Sequence, residues 1–292
     1  MSSIMKPKNL RTKIFLDSGD PLETKKAIDL LGFLDGQTTN PTLLAKNPIV
    51  VERIKKGEKF SKDEVYVLYK AIAREISKHI PEGSVSLEVY ADLETSSSHM
   101  LEEARELFSW IPNAHIKLPC IPEGIKAAHQ AIQENMRVNM TLCFTQEQAH
   151  AVFLATRGAK RGEVFVSPFI GRLDDIGQNG LSLVSNILEA YRMSQDTHVE
   201  VLAASVRNID HFLACLSMRC DTITAPFSVL TEWVRRKCYV PDASYVYNTP
   251  LKTILFKRPS SFADDWKTMR FEHELIKPGI EKFCTDWKNL IA

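Results

Sequence analysis

Ala114-His115-Ile116-Lys117-Leu118-Pro119 (A-H-I-K-L-P) is a short apolar run with a lysine in its middle and a proline at its end. Pro122-Glu123-Gly124 follows after Cys120 and Ile121. The run is too short for a helix and reads as a buried strand, while Pro122 and Glu123 suit the first turn of a helix after it. A lysine inside a buried strand is costly, and desolvation favours its neutral amine, which is a nucleophile toward carbonyls. The ordinary reading is that Lys117 snorkels out or pairs with a carboxylate, and only the rest of the chain changes those odds.

Working outward, the same strand-then-helix pattern recurs on both sides. Before Lys117 come strand-like runs at Lys13–Ser18, Gly36–Asn40 and Val85–Ala91; after it come Arg137–Phe144, Val164–Gly171, His198–Ser205 and Asp221–Pro226. Helical periodicity follows each, at Pro21–Leu31, Glu94–Trp110, Pro122 to about Glu134, Thr145–Thr156, from Gly180 to about Met193, after Arg207, and at Phe227–Arg236. The charge-rich stretch Ile49–Ile80 is helical in period and, with charges of both signs, reads as a long solvated excursion. Such alternation implies a parallel sheet with crossover helices. Eight units in roughly 240 residues is the size of a closed (β/α)₈ TIM barrel. An open doubly wound sheet is the rival, weakened by the lack of a G-x-G-x-x-G after the first strand. The expectation is one barrel domain over 1–292 with its core at about 13–237. Residues 238–292 form a helical tail packed on it, carrying Trp266, Phe271, Phe283 and Trp287.

The chain has 292 residues, 44% hydrophobic and 25% charged, with a net charge of +1. That balance gives no general pull toward nucleic acid or membrane, so any anion selectivity must be local. Six scattered cysteines without C-x-x-C point to free buried thiols in a reducing compartment rather than a disulfide framework, and no pair has zinc-like spacing. The N-terminus has no apolar signal core, and no run approaches a membrane span of about 18 apolar residues. A cytoplasmic protein is expected, with no metal. Whether it forms a homo-oligomer is left open.

In a barrel of this kind, the C-terminal ends of the strands converge on one face, where barrel enzymes place their sites. Asp17, Thr39, Asn40, Glu88, Lys117, Asn139, Thr141, Ser167 and Ser205 fall at or near those ends, with Arg172 and Arg207 in the loops beyond. Each alone has a dull reading: Asp17 beside a helix cap, Ser205 as a cap, Thr141 as β-branched filler, Arg172 paired with Asp174 or Asp175. Together they are less easily dismissed, because charged and amide groups pointing into an apolar barrel must satisfy one another. Guanidinium forks match phosphate oxygens, so an amine at one end and two arginines at the other fit a phosphorylated keto-sugar.

The chain resembles the transaldolase family of class I aldolases. The matching runs are F-L-D-S at Phe15–Ser18, G-Q-T-T-N-P-T-L-L at Gly36–Leu44, L-E-V at Leu87–Val89 and I-K-L-P at Ile116–Pro119 with E-G-I-K-A at Glu123–Ala127. They continue with N-M-T-L-C-F-T at Asn139–Thr145, V-S-P-F-I-G-R at Val166–Arg172 and A-A-S-V-R-N at Ala203–Asn208. They keep the family's order from about Lys13 to Pro226; the chain departs from the pattern at Gln37, where a small apolar residue is common. The resemblance implies that Lys117 forms a Schiff base with the C2 carbonyl of a ketose phosphate and that Asp17 is the general acid/base. It further implies that Glu88 and Thr141 hold a proton-relaying water, with no organic cofactor. Asn40, Asn139 and Ser167, with Thr39 beside them, would bind the dihydroxyacetone portion, Phe169 would lie against the site, and Arg172, Ser205 and Arg207 would bind phosphate. The implied reaction moves a dihydroxyacetone unit from fructose 6-phosphate or sedoheptulose 7-phosphate to erythrose 4-phosphate or glyceraldehyde 3-phosphate, in the pentose phosphate pathway. Fructose 6-phosphate aldolase is the alternative within the family. That subgroup tends to carry Gln for the Glu and Tyr for the Phe, so Glu88 and Phe169 favour transferase. A non-catalytic sugar-phosphate-binding barrel would be marked by loss of Lys117, Asp17 or Glu88, and all three are present.

Overall fold

The computed structural model describes residues 6–259, 261–262 and 264–291. Eight parallel strands close a barrel: β1 (Lys13–Asp17), β2 (Gly36–Thr38), β3 (Ser84–Glu88), β4 (Ala114–Pro119), β5 (Val138–Cys143), β6 (Val164–Pro168), β7 (Val199–Ala203) and β8 (Thr222–Ala225). Each pairs with its sequence neighbour, and β8 returns to β1 with Lys13 opposite Thr222 and Leu16 opposite Ala225. The helices are α1 (Pro21–Leu31), α2 (Pro41–Ala45), α3 (Pro48–Lys55), α4 (Lys62–His79), α5 (Ser97–Phe108) and α6 (Pro122–Gln133). They continue with α7 (Gln146–Ala155), α8 (Ile170–Asp174), α9 (Gly180–Ser194), α10 (Ile209–Ser217), α11 (Phe227–Arg235) and α12 (Ile276–Leu290).

Local chemistry explains the punctuation. Asp20 caps α1 by accepting from the Leu22 N–H at 2.9 Å, Pro21 occupies the first turn, and Gly32 closes the helix at φ 76°. Thr145 and Gln148 form a reciprocal capping box at α7, and the Gln148 amide also donates to the Cys120 carbonyl at 2.7 Å. Two glycines are demanded by close approach. A Cβ on Gly124 would lie 2.0 Å from the Pro119 carbonyl oxygen, so glycine lets α6 fold tightly back on β4. A Cβ on Gly36 would fall 2.6 Å from the Phe15 ring inside the barrel. Gln37 is fully buried outside the strand ring and satisfied, donating to the Ser18 carbonyl at 2.8 Å and accepting from Thr24 at 2.7 Å.

Three expectations change. The Ile49–Ile80 stretch is no solvated excursion. It holds α3 and then α4, the crossover helix between β2 and β3, with Val65, Tyr69, Ile72, Ala73 and Ile76 buried. Its charges lie on the outer face, and they mask an apolar stripe that is ordinary in period. The run Val164–Gly171 is strand only as far as Pro168, and Arg172 rides on the short α8. Val85–Ala91 is strand only to Glu88: β2 has already ended on one side, and on the other only the Val89 N–H continues the pairing, to the Lys117 carbonyl at 3.3 Å. The tail runs through Lys252–Thr253, paired with Gln178–Asn179, and a short turn of helix at Trp266–Thr268 before α12 crosses the C-terminal end of the barrel against α2.

Candidate active site

Register alone assembles the centre. Glu88 on β3 is opposite Lys117 on β4, and Lys117 is opposite Asn139 on β5. Register partners in a parallel sheet share a face, so carboxylate, amine and amide form one row across three strands. Lys117 is 4% exposed; its Nζ donates to Glu88 Oε2 at 2.6 Å and to the Thr39 carbonyl at 2.9 Å. The pairing that the ordinary reading foresaw is therefore present, inside the barrel end. Burial raises the Glu88 pKa, and the Lys117 charge and hydrogen bond oppose the rise.

Asp17 ends β1 and accepts a hydrogen bond from Thr38 Oγ1 at 2.7 Å. Burial pushes its pKa up against that bond and the Lys117 and Lys46 charges. Ser167 Oγ donates to Asn139 Oδ1 at 2.6 Å, and Asn139 Nδ2 donates to Ser86 Oγ at 3.0 Å. Thr141 Oγ1 is buried with no hydrogen-bond partner. The next residue, Leu142, has φ 58°, and the β5–β6 register shifts between Met140 and Cys143. An irregularity of this kind re-aims neighbouring side chains and is common beside active sites.

These groups surround an open cavity of about 190 Å³. Asp17, Asn40, Lys117, Asn139, Thr141, Ser167, Phe169, Arg172 and Ser205 line it. Asn40 also caps α2, accepting from the Leu43 N–H at 2.8 Å. Ser205 is held at φ 56°, and its carbonyl accepts from the Gly171 N–H at 3.0 Å, tying the end of β7 to α8. Arg172 lies 5.7 Å from the Phe169 ring centre and 5.4 Å from that of Phe283. Among the described residues no carboxylate lies within ion-pair distance of it: Asp175 is taken by Arg207, and Asp174 faces His211 and accepts from the Gly180 N–H at the start of α9. The suggested surface pair for Arg172 is thus not formed.

Two expected residues sit elsewhere. The Thr39 side chain turns away from the cavity, donating to the Ser86 carbonyl at 2.8 Å and meeting the Tyr69 hydroxyl at 2.7 Å; only its carbonyl reaches Lys117. Strand alternation explains this, since Thr38 takes the inward position. Arg207 stands at the rim, half-exposed and forked on Asp175, outside the cavity lining. Glu88 lies behind Lys117 rather than on the cavity wall. Sequence reasoning missed Thr38, Lys46, Phe283 and Tyr69. Thr38 and Lys46 flank the T-N-P-T run and were within reach of it. Phe283 comes from a distant helix and Tyr69 from a crossover helix, and no local signal marks either.

A sequence profile of the family described as Transaldolase/Fructose-6-phosphate aldolase matches residues 14–292. A protein of Cytophaga hutchinsonii named "Probable transaldolase" is 42% identical over 219 residues, 75% of this chain and 88% of that protein. One of Dehalococcoides mccartyi with the same name is 32% identical over 278 residues, 95% of this chain and 99% of its own length. One of an Anaeromyxobacter species, again so named, is 40% identical over 278 residues, 95% of this chain and 98% of its own.

Proposed function

The chain belongs to the transaldolase/fructose 6-phosphate aldolase family, and from that premise we propose that it is a transaldolase working through an imine on Lys117. The observation that carries the reading is the buried Lys117 amine facing a cavity that Arg172 also lines, with no carboxylate within ion-pair distance of that arginine among the described residues. Unpaired cationic surface beside a buried amine suits a substrate with a carbonyl at one end and a phosphate at the other.

In the mechanism, Lys117 passes a proton to Glu88, and the freed amine attacks the C2 carbonyl of a ketose phosphate; water leaves, giving an iminium. Glu88, already at 2.6 Å from Nζ, takes and returns the protons of this step. Thr141 Oγ1, which lacks a partner, holds the departing water. Asn40, Asn139 and Ser167 bind the hydroxyls of the three-carbon unit. Asp17 then removes the C4 hydroxyl proton as the C3–C4 bond breaks, and the bonding pair flows into the iminium to leave an enamine. The raised Asp17 pKa makes it a better base than an ordinary carboxylate. The aldose phosphate departs, a second one enters, the enamine carbon attacks its aldehyde, and Asp17 returns the proton. Hydrolysis of the new iminium frees the product and the amine. Arg172 and Ser205 hold the phosphate, and Arg207 adds charge from the rim while shared with Asp175. Donors and acceptors are fructose 6-phosphate or sedoheptulose 7-phosphate and erythrose 4-phosphate or glyceraldehyde 3-phosphate, which places the protein in the pentose phosphate pathway. Among the described residues no helix is long and apolar enough to cross a membrane. Its buried free thiols suit a cytoplasmic setting.

The test is to incubate the protein with fructose 6-phosphate, reduce with borohydride and map the adduct by mass spectrometry. A three-carbon adduct on Lys117 supports the reading. No adduct in a folded sample overturns it. Turnover of fructose 6-phosphate that needs an aldose acceptor separates transferase from aldolase.

A further inference from the structure

Glu88 and the Thr39 carbonyl are the two acceptors on the Lys117 amine; Glu88 ends β3, and Thr39 lies just past the end of its neighbour β2. Between those strands the sheet is incomplete. On its β2 side, β3 donates the Ser84 N–H to the Asp35 carbonyl and offers the Ser86 carbonyl to the Thr39 N–H. The N–H groups of Val85 and Val89, an odd number of residues from Ser84, point the other way, to the carbonyls of Asn113 and Lys117 on the β4 side. The Glu88 N–H therefore points toward β2, which has ended at Thr38 and turned into α2. A buried N–H without a partner is costly.

The Tyr69 hydroxyl fills the gap, accepting from the Glu88 N–H at 2.9 Å. The same oxygen lies 2.7 Å from Thr39 Oγ1. Thr39 has one hydroxyl proton and donates it to the Ser86 carbonyl at 2.8 Å, so the Tyr69 hydroxyl donates to Thr39. The chain of donors is then determined: Glu88 N–H to Tyr69, Tyr69 to Thr39, Thr39 to Ser86. Burial holds the phenol well above its ordinary pKa, so it stays a donor. Its ring is fixed by Trp110 and Trp287, packed edge-on with centroids 5.6 and 6.2 Å away.

We propose that Tyr69 is a positioning residue for the amine chemistry: its hydroxyl stands in for the missing strand and sets the spacing of the two acceptors that orient Lys117. This rests on the Lys117 imine reading. Because Trp287 belongs to α12, the tail takes part in the same support.

Tyr66 provides a matched control. It lies one turn earlier on α4, also packs on Trp110 and Trp287, and spends its hydroxyl on Glu103 at 2.5 Å, away from Lys117. The experiment compares Tyr69→Phe and Tyr66→Phe with the unaltered protein. It measures thermal stability, kcat and KM for fructose 6-phosphate, and the rate at which borohydride traps the adduct on Lys117. Tyr69→Phe is expected to lower kcat and the trapping rate on the order of tenfold with KM little changed. Tyr66→Phe is expected to lose stability with kcat and trapping unaltered. Equal kcat and trapping in Tyr69→Phe and the unaltered protein would overturn the proposal alone, as would equal losses in the two variants. Absence of any Lys117 adduct in the unaltered protein would overturn both it and the imine reading.

Discussion

The two ends of the barrel carry similar residue types and treat them in opposite ways. β1 begins with Lys13 and ends with Asp17; β4 has His115 near its start and Lys117 near its end. At the N-terminal end the charges are consumed locally. Lys13 and Arg161 both bind Glu200, at 2.9 and 3.1 Å, Arg161 also binds Asp221 at 2.8 Å, and the His115 ring is held by Ser84 at 2.7 Å and the Gly162 carbonyl at 2.9 Å. The Thr222 hydroxyl is an exception, buried without a partner. At the C-terminal end Asp17 is half-buried with its pKa raised by desolvation, Arg172 has no carboxylate within ion-pair distance among the described residues, and Thr141 Oγ1 is unpaired. The difference teaches that polar groups inside a barrel mark a site only where their mutual satisfaction is left incomplete.

The comparison breaks most sharply at Lys117. Lys117→Ala is expected to cut turnover on the order of 10⁴-fold or more in a coupled assay. Lys46 also lines the cavity, so an adduct on Lys46, or near-normal turnover without Lys117, would sink the assignment.

Asp17→Asn should lower turnover by about 10²- to 10⁴-fold, the range of general acid–base catalysis, yet raise the melting temperature at neutral pH. The sign follows from linkage. The folded state holds the Asp17 proton at pH values where the unfolded chain has released it, so stability falls as pH rises from the ordinary carboxylate range through the raised value. Above that window the ionised group costs stability, and Asn removes the cost. Melting curves at acid and neutral pH check it: the gain should shrink at acid pH, and a lower melting temperature at neutral pH would contradict it.

Arg172→Ala comes next, with KM for phosphorylated substrates raised about 10- to 100-fold, the worth of a charged hydrogen-bond pair. Non-phosphorylated analogues should change far less, and equal losses on both would count against the phosphate role.

The smallest catalytic effect is expected at the other end. Glu200→Gln strands Lys13 and Arg161, which retain solvent access, so a stability loss of about 1–3 kcal/mol is expected from the buried carboxylate's missing bonds. The melting temperature should fall by several degrees with kcat unaltered. A matching drop in kcat would show that the two ends are not independent.

Much of this was legible in the sequence, for reasons specific to particular runs. The A-H-I-K-L-P strand has the bounds expected, because proline and the following P-E-G admit no other reading. The helix at Pro21–Leu31 likewise matches, fixed by its proline start and glycine stop. The convergence of Asp17, Asn40, Lys117, Asn139, Thr141, Ser167, Arg172 and Ser205 follows from barrel geometry once eight units are counted, whereas Phe169 is implied only by the family resemblance. The helices before β3 are hard to read from the sequence because surface charges outnumber the apolar stripe of α4.

What the sequence by itself determined is the alternating pattern, hence the barrel and the end at which its polar residues meet. These depend on local periodicity and on breakers, which act over a few residues. Only the tertiary structure decided which groups are spent and which are free. Arg207 rather than Arg172 takes Asp175, Thr39 turns outward to Tyr69, and Phe283 arrives from α12 to line the cavity. Those outcomes depend on distances between residues far apart in the chain, and a carboxylate has only as many partners as can physically reach it.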